Sequence, residues 1–234
     1  MASPLRQIFA FSGVLDSGAG KKGSYALVEH AVALAARAKP TQATPDRAKP
    51  TRATPDRAKP TRATPDRAAP DRAAPDGAPP DRAGQDLVLV EGGSVVNLMA
   101  VWRAHGLPGI LRRCWAAGVV LAGVSAGSLC WHVGGPTDSF SDRLDPFTGG
   151  LGLLPYSNGV HDDFPGQRRR EVYRAMVAQG VLPGGKATED GTGLHYVGTT
   201  LHEAVSIRPG KRAWPVGPGP GGSYTDEPIE PRAI

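Results

Sequence analysis

The chain has 234 residues, 27 Lys and Arg against 22 Asp and Glu, and a formal net charge of +5. Residues 37–85 form a Pro-, Ala-, Arg- and Asp-rich repeat with no aromatic, Leu, Ile, Val or Met, and they hold 11 of the basic and 6 of the acidic residues, so the remainder is neutral. Recurrent Asp without interleaved aromatics argues against nucleic-acid binding. The lack of a long apolar window argues against a membrane span, and two cysteines in apolar context argue against a disulfide or zinc framework.

In chain order, "QIFAFSG" (7–13) predicts a first strand running into a Gly-rich loop. Its glycine spacing and its Lys21-Lys22-Gly ending fail the pattern of a phosphate-binding loop. Residues 24–38, "SYALVEHAVALAARA", carry apolar side chains at helical spacing, with Ser24 as a cap and His30 on the helix surface. Residues 1–36 thus read as the first strand and helix of an α/β domain. The repeat at 37–85 has Pro spaced too closely for a helix and nothing to bury, which predicts a disordered linker.

"DLVLVEGG" predicts a buried parallel strand ending in a turn. "SVVNLMAVWRAHG" and "LPGILRRCWAAG" predict two helices, the second with Pro108 in its first turn and Gly118 past its end. "VVLAGV" is the next buried strand, and strand, helix, strand implies a parallel crossover. Farther on, "QRRREVYRAMVAQG" predicts an amphipathic helix closed by Gly180. "GLHYVGTTLHEAVSI" predicts a hairpin turning near Gly198, with His195 and His202 as surface histidines. Residues 86–215 form the expected catalytic core, and 216–234 a flexible Pro- and Gly-rich tail. The start shows no secretory pattern, so a cytoplasmic protein is expected.

"GVSAG" at 123–127 satisfies G-x-S-x-G in the context the motif needs: an apolar strand enters, a sharp turn holds Ser125 and a helix leaves. That helix aims backbone amides at the site, which makes the Ala126 N–H a candidate oxyanion donor. A serine hydroxyl needs a base within reach, itself oriented by an acid. His161 stands on a loop after a short extended run in "PYSNGVHDDF", where side chains can face a cleft. His132 is expected two turns along the elbow helix, pointing away from Ser125.

"EGGSVVNLMAVWRAHG", "GVVLAGVSAGSLCWHVGGPTDSF", "GLGLLPYSNGVHDD", "QRRR" and "ATEDGTGL", in this order, closely resemble the dipeptidase E (aspartyl dipeptidase) family of serine peptidases, which includes cyanophycinases. The resemblance covers most of residues 86–210. It implies a three-layer α/β/α sandwich with a mostly parallel sheet, similar to class I glutamine amidotransferases, here lacking part of the N-terminal half of the sheet because the repeat occupies its place. By position it implies Ser125 as nucleophile, His161 as base and Asp138 as the third member, with Asp142 and Asp145 as alternatives. Gly93, with Gly92 beside it, is implied as a second oxyanion donor, and Glu91 stands where a further glycine is often found.

Arg168 in "GQRRR" is the implied reader of a substrate carboxylate, in cleavage after an N-terminal Asp. "DDFPG" departs from the aspartyl-specific pattern; Asp162 and Asp163 either favour a free amino terminus or face water. No metal or organic cofactor is implied, and the expected partner is a small peptide, with homo-oligomerisation left open. Two other readings remain: a catalytically inactive remnant or partner-binding protein using the repeat, and an α/β-hydrolase esterase. The latter places its histidine nearer the C-terminus.

Overall fold

A computed structural model describes residues 5–13, 86–217 and 227–234. The helix expected at 24–38, the loop before it and the repeat at 37–85 lie outside the described residues.

The first strand, β1 (Gln7–Phe11), is buried along its whole length. It lies between β3 (Val120–Val124), parallel to it with Phe11 opposite Val124, and β8 (Thr192–Val197), antiparallel to it with Phe9 opposite His195. The order of this sheet is completed by β2 (Leu87–Val90) beside β3, and by β9 (Thr200–Ser206) and β11 (Arg232–Ala233) beyond β8. Both β1 and β3 carry apolar side chains on both faces, as a strand buried on two sides must. Ile8, Ala10 and Leu121 enter one core with the helices, and Phe9, Phe11, Val120, Ala122 and Val124 form a second cluster on the opposite face.

Two helices follow β2. In α1 (Val95–Ala104), Ser94 caps the first turn by accepting the Asn97 N–H at 3.2 Å, and Val95 and Met99 are buried. In α2 (Leu107–Ala116), Pro108 sits in the first turn, where no intrahelical donor is lost, and Leu111 and Trp115 are buried. Both match the pattern read from the sequence, as does Gly118, which ends α2 at φ +90°.

A five-stranded sheet holds the other half: β10 (Ala213–Val216), β7 (Gly185–Thr188), β6 (Leu154–Gly159), β4 (His132–Thr137) and β5 (Asp145–Phe147), in that order. Here β4, β6 and β7 are parallel neighbours, while β5 and β10 close the two edges antiparallel. Helix α4 (Arg169–Ala178) lays Tyr173, Met176 and Val177 against this sheet. The protein is therefore α/β, as expected, with two mixed sheets: β1, β3 and β2 run parallel in the first, and β4, β6 and β7 in the second.

Two expectations need correction. The elbow helix α3 (Ala126–Leu129) has only four residues, so His132 opens β4 instead of lying two turns along a helix. The tail is not wholly irregular: Ile229 bridges Ala213, and β11 pairs in parallel with β9. Among the described residues no helix is long and apolar enough to cross a membrane.

Candidate active site

The turn after β3 is shaped by its two glycines. A Cβ on Gly123 would stand 1.9 Å from Gly127 O, and one on Gly127 would stand 2.1 Å from Val90 O. Strands β2 and β3 and the start of α3 thus touch backbone to backbone. Ser125, between them, adopts φ 55° and ψ −115°, which a side-chain-bearing residue holds only when its surroundings impose it. The Ser125 N–H donates to Phe11 O at 3.0 Å, tying the turn to β1.

His161 follows β6 and also has positive φ, 56°. Its N–H donates to Ser12 Oγ at 2.7 Å, while Ser12 Oγ–H donates to Thr188 O at 2.9 Å. The ring then spans two partners. Nε2 is 2.9 Å from Ser125 Oγ, and Nδ1 is 2.6 Å from Asp190 Oδ1. A carboxylate can only accept, so Nδ1 carries the proton and Nε2 is left to accept from the Ser125 hydroxyl.

Asp190 was not singled out from the sequence. It lies on the connection from β7 to β8, its N–H donates to Asp163 Oδ1 at 2.8 Å, and the next amide, Gly191, donates to Gly13 O at 2.7 Å. Asp138, the acid implied by resemblance, does not meet His161. It follows β4 in the other sheet, and its Oδ2 accepts from Arg169 Nη2 at 2.8 Å. Of the two alternatives, Asp142 is exposed and Asp145 accepts from Ser141 Oγ at 2.8 Å. The physical reason is placement: Nδ1 faces the β7–β8 connection, which none of those three can reach.

A cleft of about 220 Å³ opens over Ser125, lined by Gly93, Ala126, Asp138, His161 and Arg169 among others. Gly93 has φ +129° and open space beside its Cα, and Gly92 packs against the Ser125 side chain. The expected oxyanion residues Gly93 and Ala126 therefore both border the nucleophile.

The cation of the cleft is one residue later than expected. Arg168 precedes α4, is exposed and pairs with Glu171 on the solvent side. Arg169 is buried, with Nε donating to Gln167 Oε1 at 2.7 Å in addition to its bond with Asp138. Burial lowers its pKa, and the Asp138 carboxylate opposes that shift.

Asp162 and Asp163 build the loop. Asp162 accepts from Arg170 Nε at 2.6 Å, and burial raises its pKa against the pull of that guanidinium. Arg170 also pairs with Glu189 at 3.3 Å and stacks 3.8 Å over Trp214. It thereby clamps the residues next to His161 and Asp190.

The remaining buried histidines differ from expectation as well. His195 is only 4 % exposed, with Nε2 3.0 Å from Gln7 Oε1, while His202 is exposed. His132 is fully buried, and loss of solvation lowers its pKa to about 4 despite its bond to Ser128 O. Cys130 is a buried free thiol whose pKa burial raises, and Cys114 is a partly exposed one. Among the described residues, His195, His202 and Glu203 form a cluster of metal-ligating type, separate from the cleft.

Residues 82–204 match the profile of Peptidase family S51. The chain belongs to peptidase family S51. A curated relative, the "Uncharacterized peptidase YgaJ" of Bacillus subtilis (strain 168), is 40 % identical over 134 residues, which are 56 % of this chain and 56 % of that protein. The chain thus spans about half the length of that relative. A crystal structure of a peptidase from an acI-B1 Actinobacterium aligns with a TM-score of 0.39 and 19 % identity over 62 % of this chain and 59 % of that one. In this S51 chain the matched region carries Ser125, His161 and Asp190, whereas β1 and Ser12, which brace them, precede it.

Proposed function

We propose that the chain is a serine peptidase that hydrolyses small peptides, with Ser125, His161 and Asp190 as its triad. His161 Nε2 takes the Ser125 proton as Oγ attacks the scissile carbonyl, and returns it to the leaving amine. Asp190 holds the ring in the required tautomer and stabilises the imidazolium formed in between. The Gly93 and Ala126 amides bind the developing oxyanion. Water, activated by the same imidazole, then releases the acyl group.

The observation that carries this reading is the continuous chain of contacts, 2.9 Å from Ser125 Oγ to His161 Nε2 and 2.6 Å from Nδ1 to Asp190. The cleft supports a short substrate: its volume of about 220 Å³ suits one or two residues. Arg169 is the candidate reader of an acidic side chain, which fits cleavage after an N-terminal Asp. Asp138, held through Oδ2 and half exposed, leaves Oδ1 for the substrate's ammonium group. Free thiols at Cys114 and Cys130 accord with a reducing, cytoplasmic setting.

The test is hydrolysis of a chromogenic Asp-anilide, alongside labelling by a fluorophosphonate. The parent chain should do both, and Ser125→Ala should do neither while keeping its circular dichroism spectrum. Equal rates for the two proteins, or absence of labelling in a folded parent, would refute the proposal.

A further inference from the structure

We propose that His195, His202 and Glu203 form a binding site for one divalent transition-metal ion, zinc being the best suited. The site lies on the β8–β9 hairpin and is independent of the peptidase reading. His195 opposes Glu203 and Tyr196 opposes Leu201, with a shift of register between them, so His202 is an extra residue in β9. Such a bulge sets two successive residues of one strand against a single residue of the other. It brings His202 beside His195, with ring centroids 5.1 Å apart and the planes at 78°, and puts the ligand atoms of all three residues within 4.8 Å of one another.

The separations are those of a shared coordination shell. His195 Nδ1 and Glu203 Oε1 are 3.8 Å apart. With metal–nitrogen and metal–oxygen bonds of about 2.1 Å, two ligand atoms on a tetrahedral ion sit about 3.4 Å apart, so a small side-chain adjustment suffices.

The surrounding residues also fix the histidine in the form a metal needs. Gln7 Oε1 accepts from His195 Nε2–H at 3.0 Å, which leaves the lone pair on Nδ1, facing the cluster. The ring lies flat on Phe9, centroids 4.2 Å apart and 10° between planes, so its orientation is set before any ion arrives. His202, on the exposed side, gives the ion its entry, and a fourth position remains for water. Two imidazoles and one carboxylate select a borderline ion over magnesium or calcium.

Glu203 has a competing partner. Arg232 of β11 donates to it through Nε at 2.9 Å and Nη2 at 3.1 Å. An ion on Oε1 displaces the Nη2 bond and can leave the Nε bond to Oε2, so occupancy is coupled to the docking of β11. His195 is the fourth residue of β8, five residues past Asp190 in the chain, and the site acts as a clip across β1, β8 and β9.

Zinc(II) alone is titrated into the full chain by calorimetry, in a non-chelating buffer. One equivalent should bind saturably in the micromolar range, and the thermal midpoint should rise with added ion. His202→Ala, which removes an exposed side chain, and Glu203→Gln should each abolish saturable binding with the circular dichroism unchanged. Gln7→Leu should weaken binding about 10- to 100-fold, and Arg232→Ala should tighten it several-fold. His105→Ala and His161→Gln should leave it unchanged. No saturable binding to the parent, unchanged binding in His202→Ala, or loss of the equivalent in His161→Gln would overturn the proposal.

Discussion

Asp190 and His161 meet at 2.6 Å although the chain runs out through α4 and back through β7 between them. Asp190, and not Asp138, therefore decides the tautomer of the imidazole. Asp190→Asn should lower kcat about ten-thousandfold, because the amide stabilises the wrong tautomer. Asp138→Asn should leave kcat with an N-blocked substrate close to that of the parent and raise KM for a free dipeptide. Steady-state kinetics on both substrates separate the two roles. A larger kcat loss in Asp138→Asn than in Asp190→Asn would contradict the assignment.

Arg169 and Arg168 are adjacent in sequence and opposite in placement, the first buried on Asp138 and the second exposed on Glu171. Arg169→Gln should raise KM for a substrate with an acidic side chain about 10- to 100-fold, the scale of a lost charge-assisted hydrogen bond. Arg169→Lys should recover part of the loss. Arg168→Gln should change neither KM nor kcat, since its pair with Glu171 is solvent-exposed and such pairs contribute little. Comparing Asp- and Ala-anilides across the three variants checks the pattern.

The glycines around Ser125 should fail in different ways. Gly127→Ala forces a methyl group to 2.1 Å from Val90 O, so it should cost more than about 4 kcal/mol or prevent soluble expression. Gly93→Ala meets no atom within 4 Å and is strained only by its φ of +129°, a cost of about 1–3 kcal/mol. It should stay folded yet lose about 100- to 1,000-fold in kcat as the oxyanion amide shifts. Urea unfolding together with kcat distinguishes the two outcomes.

His132 makes stability depend on pH. Burial, opposed by Ser128 O and reinforced by Lys186, lowers its pKa from 6.5 to about 4 in the folded chain. Between those values the unfolded chain binds the proton and the folded chain does not, so this residue's contribution to stability falls as pH drops from about 6.5 to about 4 and levels off below. The span is worth about 3 kcal/mol. Urea midpoints at neutral and mildly acidic pH should therefore fall less for His132→Gln than for the parent. An identical decline in both proteins would count against a buried, uncharged His132.

Much of this was readable in the residues themselves. The runs at Gln7–Phe11 and Val120–Val124 announced strands because burial on both faces leaves no polar alternation to hide them. G-x-S-x-G marked Ser125 because only glycine tolerates the backbone approaches on either side of it. What escaped were features set by tertiary packing. Asp190 is reached only when two distant loops converge on Ser12, and "ATEDGTGL" gave its location without its role. The arginine that lines the cleft, Arg169, stands one position past Arg168, a rotation of about 100° on a helix, because the start of α4 was not fixed by the sequence. His195 was read as a surface residue because nothing local shows that Phe9 and Gln7 lie beneath it.

An inner strand of the six-stranded sheet, β1, has an awkward birth. On the ribosome, Ile8, Phe9 and Phe11 are made long before either neighbour, β3 or β8, exists to cover them. At about 5–20 residues per second, that greasy segment waits roughly 5–20 s for β3 and longer for β8. The pairing of β1 with β8 cannot be completed until Val197 has emerged, and a holding chaperone during synthesis should raise the yield of active chain.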